Sequence, residues 1–197
     1  PFKYLGVAVA AGLLIYLGIT TFMGYINKKG QNAYNTAYYI LAENANPEKD
    51  AQTLKESAEL FQKVIDKYGM SKVSRLALPE LAYLRMAERK YDEAIGLYLD
   101  FLREVPENSP YQSLARLALA ACYESKGELE SAIESLSQLM EGPNDFFREQ
   151  AMLSLARVYR LDNQKDKSKK ILEEFLEKYK SSPFVPVAKA HLDEYHS

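Results

Sequence analysis

The chain has 197 residues, with 25 Lys and Arg against 27 Asp and Glu, one Cys and two His. That length holds one ordinary core. The near-neutral charge leaves no basic footprint for nucleic acid, and so few Cys and His exclude a disulfide framework and a Cys/His zinc site.

Residues 5–26 carry no charged side chain over 22 positions, and ten of these are Leu, Ile, Val or Phe. About 20 such residues at ~1.5 Å rise cross a bilayer core, and each large apolar residue contributes roughly −0.3 to −0.6 kcal/mol at mid-bilayer. Phe2 and Tyr4 flank one end; Phe22 and Tyr25 flank the other, with Lys28 and Lys29 just beyond. Interfacial aromatics and snorkelling cations belong there. A cleaved signal peptide needs a small-residue exit that TTFMGYINKK does not offer. A core helix this long is out of scale with the ~3 turns of an average helix. A pilin-type assembly helix would carry an acidic residue near its start, which is missing here. The expectation is a transmembrane anchor over residues 1–29. The opening Pro1 leads us to expect a stretch of chain before it. Lys28 and Lys29 against Lys3 lean the C-terminal part toward the cytoplasm. Ala8 with Gly12 and Thr20 with Gly24 are the positions where another helix could approach closely.

After Gly30 the pattern reads as helix throughout. Asn46 with Pro47, Ser109 with Pro110 and Ser182 with Pro183 mark helix starts. Gly69 and Gly127 read as C-terminal caps, and Pro106 and Gly142 with Pro143 as helix ends. Small residues recur at a fixed period. Ala82, Ala120 and Ala156 each follow a Leu (Leu81, Leu119, Leu155), and Ala58, Ala94, Ala132 and Ser168 form a second series. Bulky groups follow the second series at Tyr98 and Phe101, Leu136 and Leu139, and Leu172 and Phe175. Two helices per unit at a period near 34 describe a helical solenoid. Pro79 predicts a kink or a break in the helix that contains it.

These residues resemble the tetratricopeptide repeat family. LARLALAACYESKGELESAIESL carries its Leu119, Ala120, Tyr123, Gly127 and Ala132; MLSLARVYRLDNQKDKSKKILEEFL repeats them with Leu155, Ala156, Tyr159, Ser168 and Phe175. LPELAYLRMAERKYDEAIGLYLDFLREVP has Leu81, Ala82, Ala94, Tyr98 and Pro106, with Arg85 where the Tyr would fall. The resemblance spans residues 72–180, with a degenerate unit at 31–69 and a cap at 183–195. The expected fold is therefore all-α: a single transmembrane helix, then an α-solenoid of helix pairs with a C-terminal capping helix. The expected divisions are an anchor at 1–29, a juxtamembrane helix with a degenerate repeat at 30–70, and repeats with cap at 71–197.

No phosphate-cradling loop, HExxH, GxSxG or paired-Cys motif occurs. Cys122 reads as a buried thiol, and His191 and His196 as parts of the cap. The Lys165, Lys167, Lys169 and Lys170 run reads as a solvated helix face. No enzyme activity, cofactor, metal or small-molecule substrate is expected. The resemblance implies instead a groove lined by the first helices of successive units, which takes extended or helical protein segments. It points to Leu76, Tyr83 and Met86, then Leu114, Leu117 and Glu124, then Leu153, Arg157 and Arg160, apolar at one end and doubly basic at the other.

The order of anchor, Tyr-rich helix (Tyr34, Tyr38, Tyr39), repeats and SPFVPVAKAHL is similar to bacterial inner-membrane repeat proteins such as the ancillary subunit of the Sec translocon, and to periplasmic cell-envelope repeat proteins. That resemblance implies periplasmic repeats, against the lysine count. Its implied partners are exported or envelope-assembly polypeptides beside the translocon, with the bilayer held through residues 5–26. A fixed structural subunit of a membrane complex and a cytoplasmic-facing adaptor are the other readings.

Overall fold

The computed structural model describes residues 2–43, 51–142 and 145–195, and among these it forms nine α-helices and no strand. Two compact units divide it, Pro1–Leu84 and Arg85–Ser197. The Asn46 and Pro47 start, Pro143 and His196 lie outside the described residues.

The first unit is built on α1 (Phe2–Glu43), one unbroken helix of 42 residues. At ~1.5 Å per residue it is about 63 Å long. Its N-terminal half is long and apolar enough to cross a membrane, and every described side chain from 7 to 22 is exposed. Gly30 does not interrupt it, so the expected anchor and the juxtamembrane helix are one rod. From residue 27 onward α1 packs against α2 (Ala51–Tyr68), which runs back alongside it. The register is set by specific contacts. Ser57 Oγ donates to the Ala37 carbonyl at 2.7 Å, and Tyr34 meets Phe61 edge-on at 5.5 Å. The Lys72 N–H reaches Asn27 Oδ1 at 2.9 Å. Gly30 is buried with no room to spare: a Cβ there would lie 2.6 Å from Ser71 Oγ and 3.1 Å from Tyr68 Cβ. Gly69 does follow the end of α2, as expected of a cap, but unlike Gly127 it has no left-handed φ. The turn is closed instead by Ser71 N–H to the Tyr68 carbonyl and by Ser74 Oγ to the Gly69 carbonyl, each at 2.7 Å.

α3 (Ser74–Ala87) contains Pro79 without being divided by it. Proline removes one helical donor; with five residues of helix before it and eight after, the loss leaves α3 continuous. The unit boundary falls inside α3, between Leu84 and Arg85.

The second unit continues with α4 (Tyr91–Glu104), α5 (Pro110–Lys126), α6 (Leu129–Glu141), α7 (Arg148–Leu161), α8 (Lys165–Lys178) and α9 (Val185–Asp193). Each packs on the next. The periodic small residues are buried in each unit, Ala58 and Ala82 in the first and Ala94, Ala120, Ala132, Ala156 and Ser168 in the second, as are Leu81, Leu119 and Leu155. α7 shows how stacking uses a helix twice. Ala151, Leu155 and Val158 join Ala120, Ala132, Leu136 and Leu139 in one cluster. Met152 and Ala156 join Leu172, Phe175 and Ala188 in the next. Successive i, i+4 rows on one helix thus serve two neighbours, the arrangement that lets a repeat bury a face it could not bury alone. Ser168 Oγ donates to the Ala156 carbonyl at 2.6 Å, which satisfies the one hydroxyl in the alanine series.

Of the two expected helix starts among the described residues, one falls where the sequence puts it and one does not. Ser109 accepts from the Gln112 N–H, and Pro110 opens α5. Ser182 and Pro183 lie before α9 in a turn: Ser182 Oγ accepts from the Phe184 N–H, and Pro186 takes the N-terminal position instead. α9 therefore begins two residues beyond that mark.

Candidate protein-interaction surface

In the second unit the first helices of successive pairs, α5 and α7, are bridged side by side. Arg157 of α7 pairs with Glu124 of α5, and Arg160 pairs with Glu194 at the end of α9. Partners in both bridges stand about one repeat apart in sequence, so the ion pairs tie equivalent positions of neighbouring units. Ser182 adds a hydrogen bond to Glu149. The side that was read as doubly basic is therefore charge-balanced: each arginine spends its fork on a carboxylate. Glu194 is held below the ordinary glutamate range; its partial desolvation opposes this, and Arg160 and His191 outweigh it. His191 contacts Glu194 through Nδ1 at 3.3 Å, and Tyr195 donates to Ser168 Oγ at 2.7 Å. The cavity beneath these groups, lined also by Arg157, Arg160 and Leu172, holds only ~10 Å³, about one water.

The apolar candidates divide into two groups. Leu114 is 51% exposed, and Tyr111, three residues earlier on the same face of α5, is 63% exposed. Met86 is partly exposed. Leu117 instead packs on the α5–α7 cluster and Leu153 on the α7–α9 cluster. Leu76 and Tyr83 are exposed residues of α3 in the first unit. Sequence reasoning missed Tyr111, although Ser109 and Pro110 fix the start of α5 and Leu114 was already placed on that face. Of the interface residues, Tyr4, Phe22, Tyr25, Lys28 and Lys29 are exposed, with the Lys29 ammonium 5.9 Å from the Tyr25 ring; the Phe2 side chain lies outside the described ones. Cys122 is buried, and burial pushes its thiol up to about 11. Among the described residues no group of three His, Cys, Asp or Glu is placed to hold a metal.

The turn inside each pair repeats almost atom for atom. Arg89, Gly127 and Asn163 are all left-handed, at φ of 60°, 88° and 59°. In each turn this residue donates to the carbonyl three before it, and the next residue donates to the carbonyl five before it, at 2.8–2.9 Å. Residues 150–182 match the family model of the tetratricopeptide repeat. Solved structures agree on the fold. A Podosopora anserina putative kinesin light chain with nearly identical TPR-like repeats is 18% identical over 82% of this chain and 82% of that chain, with a TM-score of 0.64. A tetratricopeptide repeat protein from Parabacteroides merdae is 17% identical over 84% of this chain and 59% of that one, at 0.66. MamA from Desulfovibrio magneticus RS-1, from residue 41 to its end, is 14% identical over 82% and 99%, at 0.54. No curated protein matches the chain in sequence. The fold is a tetratricopeptide-like α-solenoid, an architecture that generally serves protein interaction without catalysis.

Proposed function

We propose that this chain is a non-enzymatic, membrane-tethered protein-binding module. Its N-terminal half of α1 lies in a bilayer, and its repeats hold polypeptide segments. The observation that carries the binding reading is the exposed Tyr111 and Leu114 pair on α5. An aromatic and an aliphatic side chain side by side on a first helix offer the anchors that an amphipathic partner helix or an extended segment takes. Met86, also in the second unit, belongs to the same contact set, and Leu76 and Tyr83 are exposed contacts of the first unit by itself. Glu124, Arg157 and Arg160 supply a polar rim that opens its ion pairs only for a partner carrying charge, and Leu117 and Leu153 support the face from below. The tether follows from the exposed apolar side chains of residues 7–22. That surface exceeds what a monomer leaves in water, and a bilayer covers it. Residues 1–29 are then the anchor, 30–70 the juxtamembrane helix and first pair, and 71–197 the remaining repeats and cap.

The resemblance seen in the sequence supplies the finer reading: a bacterial inner membrane, repeats on the periplasmic side, and a chaperone-like hold on exported or envelope-assembly polypeptides beside the Sec translocon. Tethering raises the effective concentration of the groove for clients that emerge there. The second reading is a fixed structural subunit. Tyr38 and Tyr39 stand exposed on α1, and Gly12, Gly18 and Gly24 have no neighbour within 4 Å, which leaves room for a permanent helix partner. A photocrosslinker at Leu114 in living cells separates the two. A holding protein gives a ladder of many adducts, and a fixed subunit gives one band. A periplasmic thiol probe on an Asp145→Cys variant should label the intact cell; protection there moves the repeats to the cytoplasm.

A further inference from the structure

The antiparallel register of α1 and α2 returns the chain to the foot of the proposed anchor. Lys72 N–H bonds to Asn27 Oδ1 at 2.9 Å, and Gly30 lies against Ser71 and Tyr68. The α2–α3 turn is thus fixed beside residues 27–30, which begin one residue after the apolar run ends at Ile26. At ~1.5 Å of rise per residue, that places the turn within about 6 Å of the run's end along α1. Met70 stands at its tip, 64% exposed. Lys67 and Lys72 flank it in the chain, Lys28 and Lys29 follow Asn27 on α1, and all four are exposed. The acidic neighbour is Asp66, which accepts from Gln62 at 3.0 Å. An exposed methionine with exposed lysines at the same height along α1, level with the end of the apolar run, matches the headgroup layer of an anionic bilayer in both polarity and charge.

We infer that the α2–α3 turn, residues 68–73, is a second membrane contact: Met70 enters the interface of the bilayer while Lys28, Lys29, Lys67 and Lys72 face anionic lipid phosphates. The inference rests on the tether reading of α1. Its consequence is mechanical. Because α1 is continuous, the first pair tilts and turns with the spanning helix, and a second contact held to α1 by Asn27 and Gly30 restrains that tilt. The first pair then stands at a fixed height and angle above the membrane.

The test uses the full chain in vesicles of phosphatidylcholine with phosphatidylglycerol, with a quencher attached to the lipid. A fluorophore is placed singly at Tyr16→Cys, Met70→Cys or Gln52→Cys; buried Cys122 stays unlabelled. Quenching at 16 and 70 but not at 52 is the expected result. The quench at 70 should fall toward the level at 52 in pure phosphatidylcholine and in the K67Q/K72Q variant, with 16 unchanged. Quenching at 16 with 70 no different from 52 overturns the second contact and leaves the tether, freeing Met70 for a protein partner. Quenching at 70 without 16 overturns the tether and keeps the surface contact, and no quenching at either overturns both. A quench at 70 that ignores lipid charge and the lysine variant overturns the assignment to anionic phosphates.

Discussion

Arg89 occupies a backbone position that Gly127 and Asn163 occupy in the following two pairs, and it is the residue least suited to it. Left-handed φ costs a side-chain-bearing residue roughly 1 kcal/mol, which Gly avoids and Asn partly avoids. Arg89→Gly is therefore expected to stabilise the chain by about 0.5–1 kcal/mol in urea unfolding, and Gly127→Ala to destabilise it by a similar amount. Equal and opposite effects identify the shared turn, and destabilisation by both removes it. Only Gly127 was legible here, because glycine advertises a left-handed turn and an arginine does not. The same limit applied to charge. Arg157 and Arg160 could be placed on α7 from the sequence, but their carboxylate partners stand about one repeat away and become neighbours only on stacking.

Glu80 shows a second effect at this scale. Burial holds its carboxyl above the ordinary glutamate range. Burial, with Glu80 and Tyr38 nearby, also pushes Tyr34 up to about 12. The folded state thus binds the Glu80 proton more tightly than the unfolded chain does. Its contribution is fully present below the unfolded value and is lost as pH rises through the folded one. Glu80→Gln should melt above the parent chain at pH 7, with the gap closing as pH falls through the glutamate range. A gap independent of pH contradicts this.

Between elements, the periodic alanines carried most of what could be read in advance. Ala58, Ala82, Ala94, Ala120, Ala132 and Ala156 are all buried, because a helix crossing needs small residues on the approaching faces and bulky ones beyond. Local chemistry set the helix ends less firmly. Ser182 resembles a cap, yet α9 waits for Pro186, since Ser182 is engaged with Glu149 and a turn of its own. The α1–α2 pair was legible as a degenerate unit at 31–69 with Ala58, but nothing in the sequence marked the close approach at Gly30. There a Cβ would meet Ser71 Cβ at 2.8 Å and Tyr68 Cβ at 3.1 Å. Gly30→Ala should cost about 1–3 kcal/mol by overpacking, read as a lower urea midpoint, whereas Gly18→Ala, with open space around it, should cost nothing in the same assay. Equal behaviour at both positions would mean that α2 does not close on α1 at that height.

For the whole molecule, one continuous helix links an apolar segment to the first helix pair. The apolar segment and the first helix pair therefore share a backbone and not a flexible linker. The apolar segment was plain in the sequence because 22 positions without charge have few other uses. That the anchor and the juxtamembrane helix expected after Gly30 are one uninterrupted helix to Glu43 was not, since a glycine between two helical stretches reads the same whether or not it breaks them. If the repeats bind polypeptides and the membrane is what brings them together, binding must depend on the apolar segment. The most direct measurement compares photocrosslinking from Leu114 in the full chain with that in a chain lacking residues 5–26, at matched expression and matched helical circular dichroism. The Leu114 adducts are expected to collapse when the apolar segment is removed. Adducts of unchanged identity and yield from the released chain would contradict that dependence.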